Sequence, residues 1–461
     1  MRIPRSRVGG LLALAALLGV SACGVGTPTT AAQPSTVAQA PQLAPGQQVS
    51  IVFESYNFGL AGTWTDTFNE LIGQFEKKFP NIKVTPQKPN GSDPNPAHNS
   101  TSSVQTEIAA GNPPDVAQLG FDTLAFAAGQ LGAKPLDDLY GKSEVDTEFG
   151  GQFPYAGAIR TIGNVDGKTY GVPFVLSTPV LYYNATLFKQ AGLNPDNPPK
   201  TWGEVQQDGA KIKQATGKDG AYADCLVRSA SDWCFQSLVR SAGGRVLSQD
   251  RKQLTYDQAP TVQAVKQMQD MVTSGAMPQL SQVQATAAFP RGDLGMMLES
   301  SAAQGGYLKG AQGAGWELRA APMPSFGDKP TVPTNSGAAL YVFSKDPAKQ
   351  RAAWELIKFL TSAGAYDVIT SKIGYLPLRL GLLDDPAHLK PWADKNPMIK
   401  PNVAQLQHIE PWVAFPGTNF QQIRDTMMDA VEKSVFQGAD PQSSLTAAAK
   451  QTASLLPGGG K

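Results

Sequence analysis

A strand, an amphipathic helix and a second strand follow one another early in the chain, and this order constrains the fold more than any other feature. Residues 49–58, VSIVFESYNF, are rich in β-branched and aromatic side chains, as is typical of a buried strand. Residues 65–79 carry apolar side chains at helical spacing, and Pro80 ends that pattern before the next strand, IKVTPQ. Because two strands joined by a helix lie parallel in one sheet, the sequence predicts an α/β fold. The apolar face of the helix consists of Phe68, Leu71, Ile72, Phe75 and Phe79.

The rest of the chain adds more helices than strands. Asp166-Gly167 stands between two short strand-like pairs and predicts a hairpin turn. Thr201 and Glu204 have the spacing of a capping box, and Asp346-Pro347 is typical of a helix start. The 461-residue chain is long for one hydrophobic core, so we expect two α/β lobes with extra helices toward the C-terminus.

The first residues have the pattern of a secretory signal. Three arginines precede the short apolar run LLALAALLGVSACGV at 11–25, which is too short to cross a bilayer as a helix. The four residues from Val20 to Cys23 resemble a bacterial lipobox, which implies a signal peptide over residues 1–22 and lipid attachment at Cys23. An ordinary cleaved signal with an incidental cysteine is the alternative.

A linker is predicted to follow this signal. Residues 24–47 contain no charged and no aromatic side chain, and are rich in Pro, Ala, Thr and Gln. Such a segment buries too little apolar surface to offset its chain entropy. We therefore expect residues 23–47 to be a disordered tether, with the protein held at the outer face of a membrane.

Composition and motifs argue against most catalytic and nucleic-acid functions. The formal net charge of +1 argues against nucleic acid or an anionic lipid surface as the main partner. The three histidines, His98, His388 and His408, stand in no metal-binding motif, and no complete phosphate-binding loop or GxSxG motif occurs. We predict no enzyme activity, no metal and no cofactor, although paired carboxylates such as Asp122 with Glu299 leave a secreted glycoside hydrolase as an alternative.

Cysteines and aromatic residues give two further expectations. With Cys23 assigned to lipid, Cys225 and Cys234 remain, and outside the cytoplasm we expect them to form a disulfide. Aromatic residues beside polar ones on predicted loops suit a polyol ligand, because a ring packs against a sugar's C–H face while amides and carboxylates bond its hydroxyls. Core packing is the alternative for each of them: Tyr56, Trp64, Tyr183, Trp233, Tyr375 and Trp412.

Three stretches carry a resemblance to a known family. They are YGVPFVLSTPVLYYNATLFKQAGL at 170–193, NSGAAL at 335–340 together with GYLPL at 374–378, and QIR at 422–424. This text resembles the extracellular solute-binding proteins of bacterial carbohydrate ABC importers, family 1, and above all their glycerol-3-phosphate-binding members. The similarity extends over about residues 48–440.

The resemblance implies two α/β lobes that close on a ligand about a hinge. It places lobe one at 48–172 plus 317–375 and lobe two at 173–316 plus 376–461. The implied function is capture of a sugar or related polyol and its delivery to the permease subunits of an ABC importer. We expect a monomer outside the cytoplasm, with periplasm and cell surface both open, and no nucleic-acid partner.

The resemblance also implies ligand-binding residues. Asp122 would accept two ligand hydroxyls, with a helix N-cap as its alternative role. Gly337 would offer its backbone amide at close approach, and Tyr375 would cap the cleft and donate its hydroxyl. Trp233 would be a stacking platform, with core packing as the alternative. Serines of the family motifs complete the predicted set: Ser177, Ser300 and Ser301.

One departure from the family pattern bears on the ligand. Glycerol-phosphate-binding relatives carry an arginine shortly before the QIR motif, whereas residues 413–419 here, VAFPGTN, contain no cation. Arginine is the natural bidentate partner of phosphate. Its absence favours a neutral sugar or oligosaccharide, and glycerol-3-phosphate or a glycerophosphodiester is the alternative.

Overall fold

The computed structural model describes residues 39–60, 62–93 and 96–458. The predicted signal peptide, the lipid-attachment residue Cys23 and the linker up to residue 38 lie outside the described residues. Within the described part of the chain, no helix is long and apolar enough to cross a membrane. Residues 39–458 lie within one compact unit.

Eleven strands occur in the described residues, and nine of them form two sheets. The strands are β1 Val49–Glu54, β2 Ile82–Gln87, β3 Val116–Gly120, β4 Asn164–Val165, β5 Lys168–Thr169, β6 Gly171–Ser177, β7 Pro179–Asn184, β8 Asp219–Ala223, β9 Leu294–Ser300, β10 Leu318–Ala321 and β11 Ser336–Val342. The first sheet has the order β2-β1-β3-β11-β6, and the second has the order β10-β7-β9-β8. Strands β4 and β5 form the hairpin predicted at Asp166-Gly167, where both residues have positive φ.

Eighteen α-helices pack on these sheets within the described residues. They are α1 Thr63–Lys78, α2 Pro96–Ala109, α3 Leu124–Phe126, α4 Leu136–Tyr140, α5 Lys142–Phe149, α6 Gly157–Thr161, α7 Ala185–Gln190, α8 Trp202–Thr216, α9 Trp233–Ser241, α10 Ala259–Thr273, α11 Gln282–Ala288, α12 Gln304–Ala314, α13 Pro347–Leu360, α14 Ala363–Lys372, α15 Lys390–Ala393, α16 Ile399–Gln405, α17 Phe420–Gln437 and α18 Pro441–Thr452.

The predicted strand–helix–strand unit is confirmed. Strand β1 pairs in parallel with β2, with Val49 opposite Ile82, and helix α1 lies between them in the sequence. Phe68, Leu71 and Phe75 of α1 are fully buried, as the apolar spacing predicts. The sequence therefore predicts the parallel pairing of β1 and β2 in the first sheet.

Two hydrophobic cores correspond to the two sheets. Phe53, Phe68 and Trp354 belong to the first core, whereas Trp202 and Val431 belong to the second. We call lobe one the part of the chain around the first sheet and core, and lobe two the part around the second. The two-lobed α/β fold class is confirmed.

The chain crosses between the lobes at other residues than those predicted. Strand β6 lies wholly in the first sheet, because 171–177 is one continuous buried strand, and the crossing comes at Thr178. Strand β10 pairs with β7 in the second sheet, whereas the family resemblance places 317–375 in lobe one. Leu376 and Ile399 pack in the first core, although they follow the predicted return to lobe two.

The end of the predicted tether belongs to the folded protein. Ala40 is buried, its N–H donates to the Leu139 carbonyl at 2.8 Å, and its own carbonyl accepts from Arg351 Nη2 at 2.7 Å. Because this backbone is bonded on both sides, the tether predicted to end at residue 47 ends before residue 40.

Candidate functional site

A cavity of about 130 Å³ lies between the lobes and is lined by both of them. Lobe one contributes Tyr56, Asp122 and Gly337 to its wall. Lobe two contributes helices α9 and α17 and the turn before α9: Ser231, Trp233 and Arg424. The cavity therefore depends on both lobes, because each lobe supplies part of its wall.

Asp122 is a buried carboxylate at the end of strand β3. Gly120 makes room for it, because a Cβ at that position would stand 2.4 Å from Asp122 Oδ1. The helix N-cap role is not found, because Thr123 is the N-cap residue of α3 and no side chain caps that helix. Burial raises the pKa of Asp122 to about 6, although Arg424 lowers this pKa and Asp232 raises it.

Arg424 faces Asp122 across the cavity. Its Nη1 donates to Asp122 Oδ2 at 3.4 Å, its Nε donates to Asp425 Oδ1 at 2.9 Å, and its Nη2 lies 2.9 Å from the same oxygen. Burial alone would lower the pKa of this guanidinium, but the surrounding carboxylates hold it above its ordinary value. Arg424 belongs to the QIR motif, and the motif alone does not predict that its arginine lines the site.

Two tryptophans from different segments border the cavity. Trp233 is the first residue of helix α9 and is mostly buried. It lines the cavity and also packs in the second core, so neither alternative given for it excludes the other. Trp412 packs against both cores, donates its N–H to Asn335 Oδ1 at 3.0 Å and its Nε1–H to Asp232 at 2.8 Å. The sequence shows Trp412 only as an aromatic residue on a predicted loop, because its partners are far away in the chain.

Polar atoms at the cavity wall have hydrogen-bonding capacity left over. Ser231 has a positive φ of 64°, and its buried hydroxyl has no hydrogen-bond partner among the described residues. A buried hydroxyl without a partner is costly, so a ligand atom that bonds it would be stabilising.

Gly337 is required by the sheet as well as by the cavity. Its φ is +117°, and a Cβ there would stand 2.0 Å from the Val175 carbonyl oxygen. It lies beside the register shift between β11 and β6. Only glycine adopts this backbone without strain, and the close approach that requires it here is the one to strand β6. The approach of the Gly337 amide to a ligand stays a prediction.

The other predicted ligand residues lie near the cavity but do not line it. Ser177 is buried at the end of β6, opposite Ser336 of the cavity wall. Tyr375 is buried with its hydroxyl 3.4 Å from that of Tyr56, and its ring meets Trp64 edge-on at 5.2 Å. Tyr375 therefore reaches the site only through Tyr56.

The two predicted serines of the MLESSAA text have structural partners. Ser300 caps a short turn by accepting from the Ala302 N–H at 3.1 Å. Ser301 donates its backbone N–H to the Thr178 carbonyl at 3.0 Å, and its buried hydroxyl has no partner among the described residues. These serines lie at the crossing between the lobes.

A second pocket of about 570 Å³ adjoins the cavity. It shares Asp122 and Trp412 with the cavity and is lined further by Phe126, Phe415 and Phe420. Phe415 belongs to the 413–419 segment, which contains no cation, and it packs against Tyr256 in the second core.

Cys225 and Cys234 are joined in a disulfide, with their Cα atoms 4.7 Å apart. Both cysteines are buried, and the loop that they close contains Ser231 and Trp233 of the cavity wall. No group of three or more His, Cys, Asp or Glu side chains is placed to hold a metal ion in the part of the chain that the structure describes.

Known proteins are similar to this chain in sequence and in architecture. Residues 70–401 match the family model for bacterial extracellular solute-binding proteins. The sn-glycerol-3-phosphate-binding periplasmic protein UgpB of Yersinia enterocolitica is 27% identical over 408 residues, which cover 84% of this chain and 88% of that protein.

Solved structures share the fold. UgpB from Mycobacterium tuberculosis in complex with glycerophosphocholine has a TM-score of 0.75 at 24% identity, covering 87% of this chain and 97% of that one. Maltose-bound MalE3 of T. maritima has a TM-score of 0.73 at 23% identity, covering 88% of this chain and 100% of that one. The chain belongs to the family of bacterial extracellular solute-binding proteins.

Proposed function

We propose that this protein is the solute-binding component of an ABC importer, which captures one small sugar or related polyol between its lobes and delivers it to the permease subunits. The observation that carries the proposal is the makeup of the cavity, where Tyr56 and Asp122 of lobe one face Trp233 and Arg424 of lobe two. Aromatic rings pack against C–H faces, while a carboxylate and a guanidinium bond hydroxyls. This combination suits a polyol.

Closure about the hinge follows from the same arrangement. A solute that touches Asp122 alone binds one lobe, whereas a solute that also touches Trp233 and Arg424 binds both. Because it gains contacts only in the closed form, the solute shifts the protein toward that form. The closed form is the state that we expect the permease to bind.

The size of the cavity favours a small solute. Its volume of about 130 Å³ is below the roughly 300–1,000 Å³ that is typical of ligand pockets. The adjoining pocket of about 570 Å³ offers room for a further apolar or aromatic-stacking part. We therefore propose one sugar ring or a molecule of similar size as the part that Asp122 holds.

Glycerol-3-phosphate or a glycerophosphodiester is the second candidate, and Arg424 is the observation that favours it. The guanidinium supplies, from helix α17, a cation that residues 413–419 lack. The names of two similar proteins point the same way, since one is called glycerol-3-phosphate-binding and the other holds glycerophosphocholine.

Native mass spectrometry followed by a thermal-shift panel tests the proposal. The panel contains maltose, trehalose, glycerol-3-phosphate and glycerophosphocholine. A solute at a hundredfold excess over its Kd stabilises the folded state by about 2.7 kcal/mol, at one molecule per chain. Release of a hydrolysed product would instead identify an enzyme, and a panel without any stabilisation would contradict the proposal.

Two substitutions locate the binding site. Asp122→Ala and Tyr375→Phe should both weaken binding, the first by removing a ligand acceptor and the second by loosening Tyr56. Tyr222→Phe is a matched control, because that hydroxyl donates to the Leu280 carbonyl at 3.1 Å and does not line the cavity. Normal binding by both Asp122→Ala and Tyr375→Phe would place the site elsewhere.

We also propose that the protein is a monomer held to the membrane by lipid on Cys23. The lipobox-like text and the uncharged segment after it support this proposal. Cys23→Ser should move the full-length protein from the membrane fraction to the soluble fraction, with unchanged solute binding. A Cys23→Ser protein that stays in the membrane fraction would contradict lipid attachment at this residue.

A further inference from the structure

An ion pair joins the two lobes across the cavity. Asp122 follows strand β3 of lobe one, and Arg424 lies on helix α17 of lobe two. Their charged atoms are 3.4 Å apart, and their side chains are only 10% and 14% exposed. At this burial the attraction between the two charges is screened little by salt, while the desolvation of Asp122 opposes it.

The guanidinium is held in place from behind. Asp425 Oδ1 accepts from Nε of Arg424 at 2.9 Å and lies 2.9 Å from its Nη2, and Arg228 in turn lies 3.2 Å from Asp425. These contacts leave Nη1 as the edge that meets Asp122 and the cavity. Asp425 is therefore a positioning residue, and Arg424 presents a fixed donor edge.

Arg424 by itself could bind an anion, but the carboxylates around it oppose one. Asp232 lies close enough to raise the pKa of Asp122, so Arg424 is shared by three carboxylates: Asp122, Asp232 and Asp425. Arg228 compensates part of this negative charge, and His98 is a further titratable group at the cavity wall. A phosphate on Arg424 would be forced beside Asp122 and Asp232, which repel it.

Neighbouring hydroxyls match the pair better than phosphate does. One hydroxyl donates to the Asp122 carboxylate, and the next accepts from Arg424 Nη1. Both charged groups then keep a partner when the solute enters. We propose that the Asp122–Arg424 pair holds the lobes together when no solute is bound and selects a solute with adjacent neutral hydroxyls over a phosphorylated one. This inference rests on the proposed function, in which the cavity holds a small polar solute.

Calorimetry on three variants tests the selectivity. Maltose and trehalose serve as neutral ligands, and sn-glycerol-3-phosphate serves as the anionic one. Arg424→Gln should weaken binding of the neutral ligand about 10- to 100-fold, because one charge-assisted hydrogen bond is lost. Asp122→Asn should shift the preference toward glycerol-3-phosphate by at least about tenfold, because a repelling charge is removed. Asp425→Asn should act like a weaker Arg424→Gln.

Small-angle scattering without solute tests whether the Asp122–Arg424 ion pair holds the lobes together. Asp122→Asn and Arg424→Gln should both have a larger radius of gyration than the wild type. The matched control is Arg319→Gln, since Arg319 also pairs with two carboxylates but lies on β10 outside the cavity. It should change neither scattering nor binding. Circular dichroism checks that each variant is folded, and Arg424→Lys provides a second variant that keeps the charge.

The outcomes separate this inference from the proposed function. A wild type that prefers glycerol-3-phosphate, or an Asp122→Asn variant with unchanged preference, would overturn the selectivity while the solute-binding function stands. Unchanged scattering of both solute-free variants would overturn the claim that the Asp122–Arg424 pair holds the lobes together. A wild type that binds no solute at all would overturn the proposed function and the selectivity with it. Scattering would then test only whether the Asp122–Arg424 pair holds the lobes together.

Discussion

Replacing Gly337 by alanine should destabilise the protein at the point where the first sheet meets the cavity. The backbone φ of +117° costs a residue with a Cβ about 1–3 kcal/mol. The added Cβ would also stand 2.0 Å from the Val175 carbonyl oxygen, so strands β11 and β6 must separate. Loss of one or two ladder hydrogen bonds adds about 1 kcal/mol each. We expect a loss of roughly 2–5 kcal/mol in the free energy of unfolding.

Urea unfolding, followed by both tryptophan fluorescence and far-UV circular dichroism, measures this loss. Two probes are needed because a two-lobed protein does not have to unfold in one step. Gly73→Ala is the matched control, since Gly73 lies within helix α1 and a Cβ there would meet nothing within 4 Å. This control should stabilise the protein by about 0.5–1 kcal/mol. If Gly337→Ala unfolds at the same urea concentration as the wild type, the argument from backbone strain is wrong.

Three further predictions concern stability. Thr201→Ala should cost about 1 kcal/mol, seen as a lower urea midpoint, because the capping box with Glu204 is lost, and an unchanged midpoint would contradict it. Burial raises the pKa of Glu54 to about 7, so the folded state loses stability as pH rises from about 4.5 to 7. Glu54→Gln should therefore raise the melting temperature more at pH 8 than at pH 5. An equal effect at both pH values would refute this. Reducing the Cys225–Cys234 disulfide should cost about 2–3 kcal/mol, because it closes a short loop, and thermal melts with and without reductant measure the difference.

Sequence patterns predicted the features that depend on neighbours along the chain. The helix of the first βαβ unit, the hairpin at Asp166-Gly167 and the capping box at Thr201 are all found. Each of them is set by side-chain spacing or by a bond over three or four residues. The same local patterns could not give the residues where the chain crosses between lobes, because strand β10 finds its partner β7 more than a hundred residues away.

The site was predicted less completely than the fold. Asp122, Trp233 and Gly337 line the cavity, whereas Ser177, Ser300, Ser301 and Tyr375 are not among its lining residues. Trp412 and Arg424 were visible only as a loop aromatic and as part of a motif. Their roles depend on partners from other segments, namely Asp232 for Trp412 and Asp122 for Arg424.

The amino-acid sequence alone determined the elements of this protein, because helical spacing, caps and turns act between residues a few positions apart. It also carried the family text of 170–193, which indicates two lobes and a solute between them. Only the tertiary structure decided what faces that solute. Asp122 and Arg424 are 302 residues apart in the chain, and they meet because two independently packed cores bring a strand end and a helix face to the same cavity.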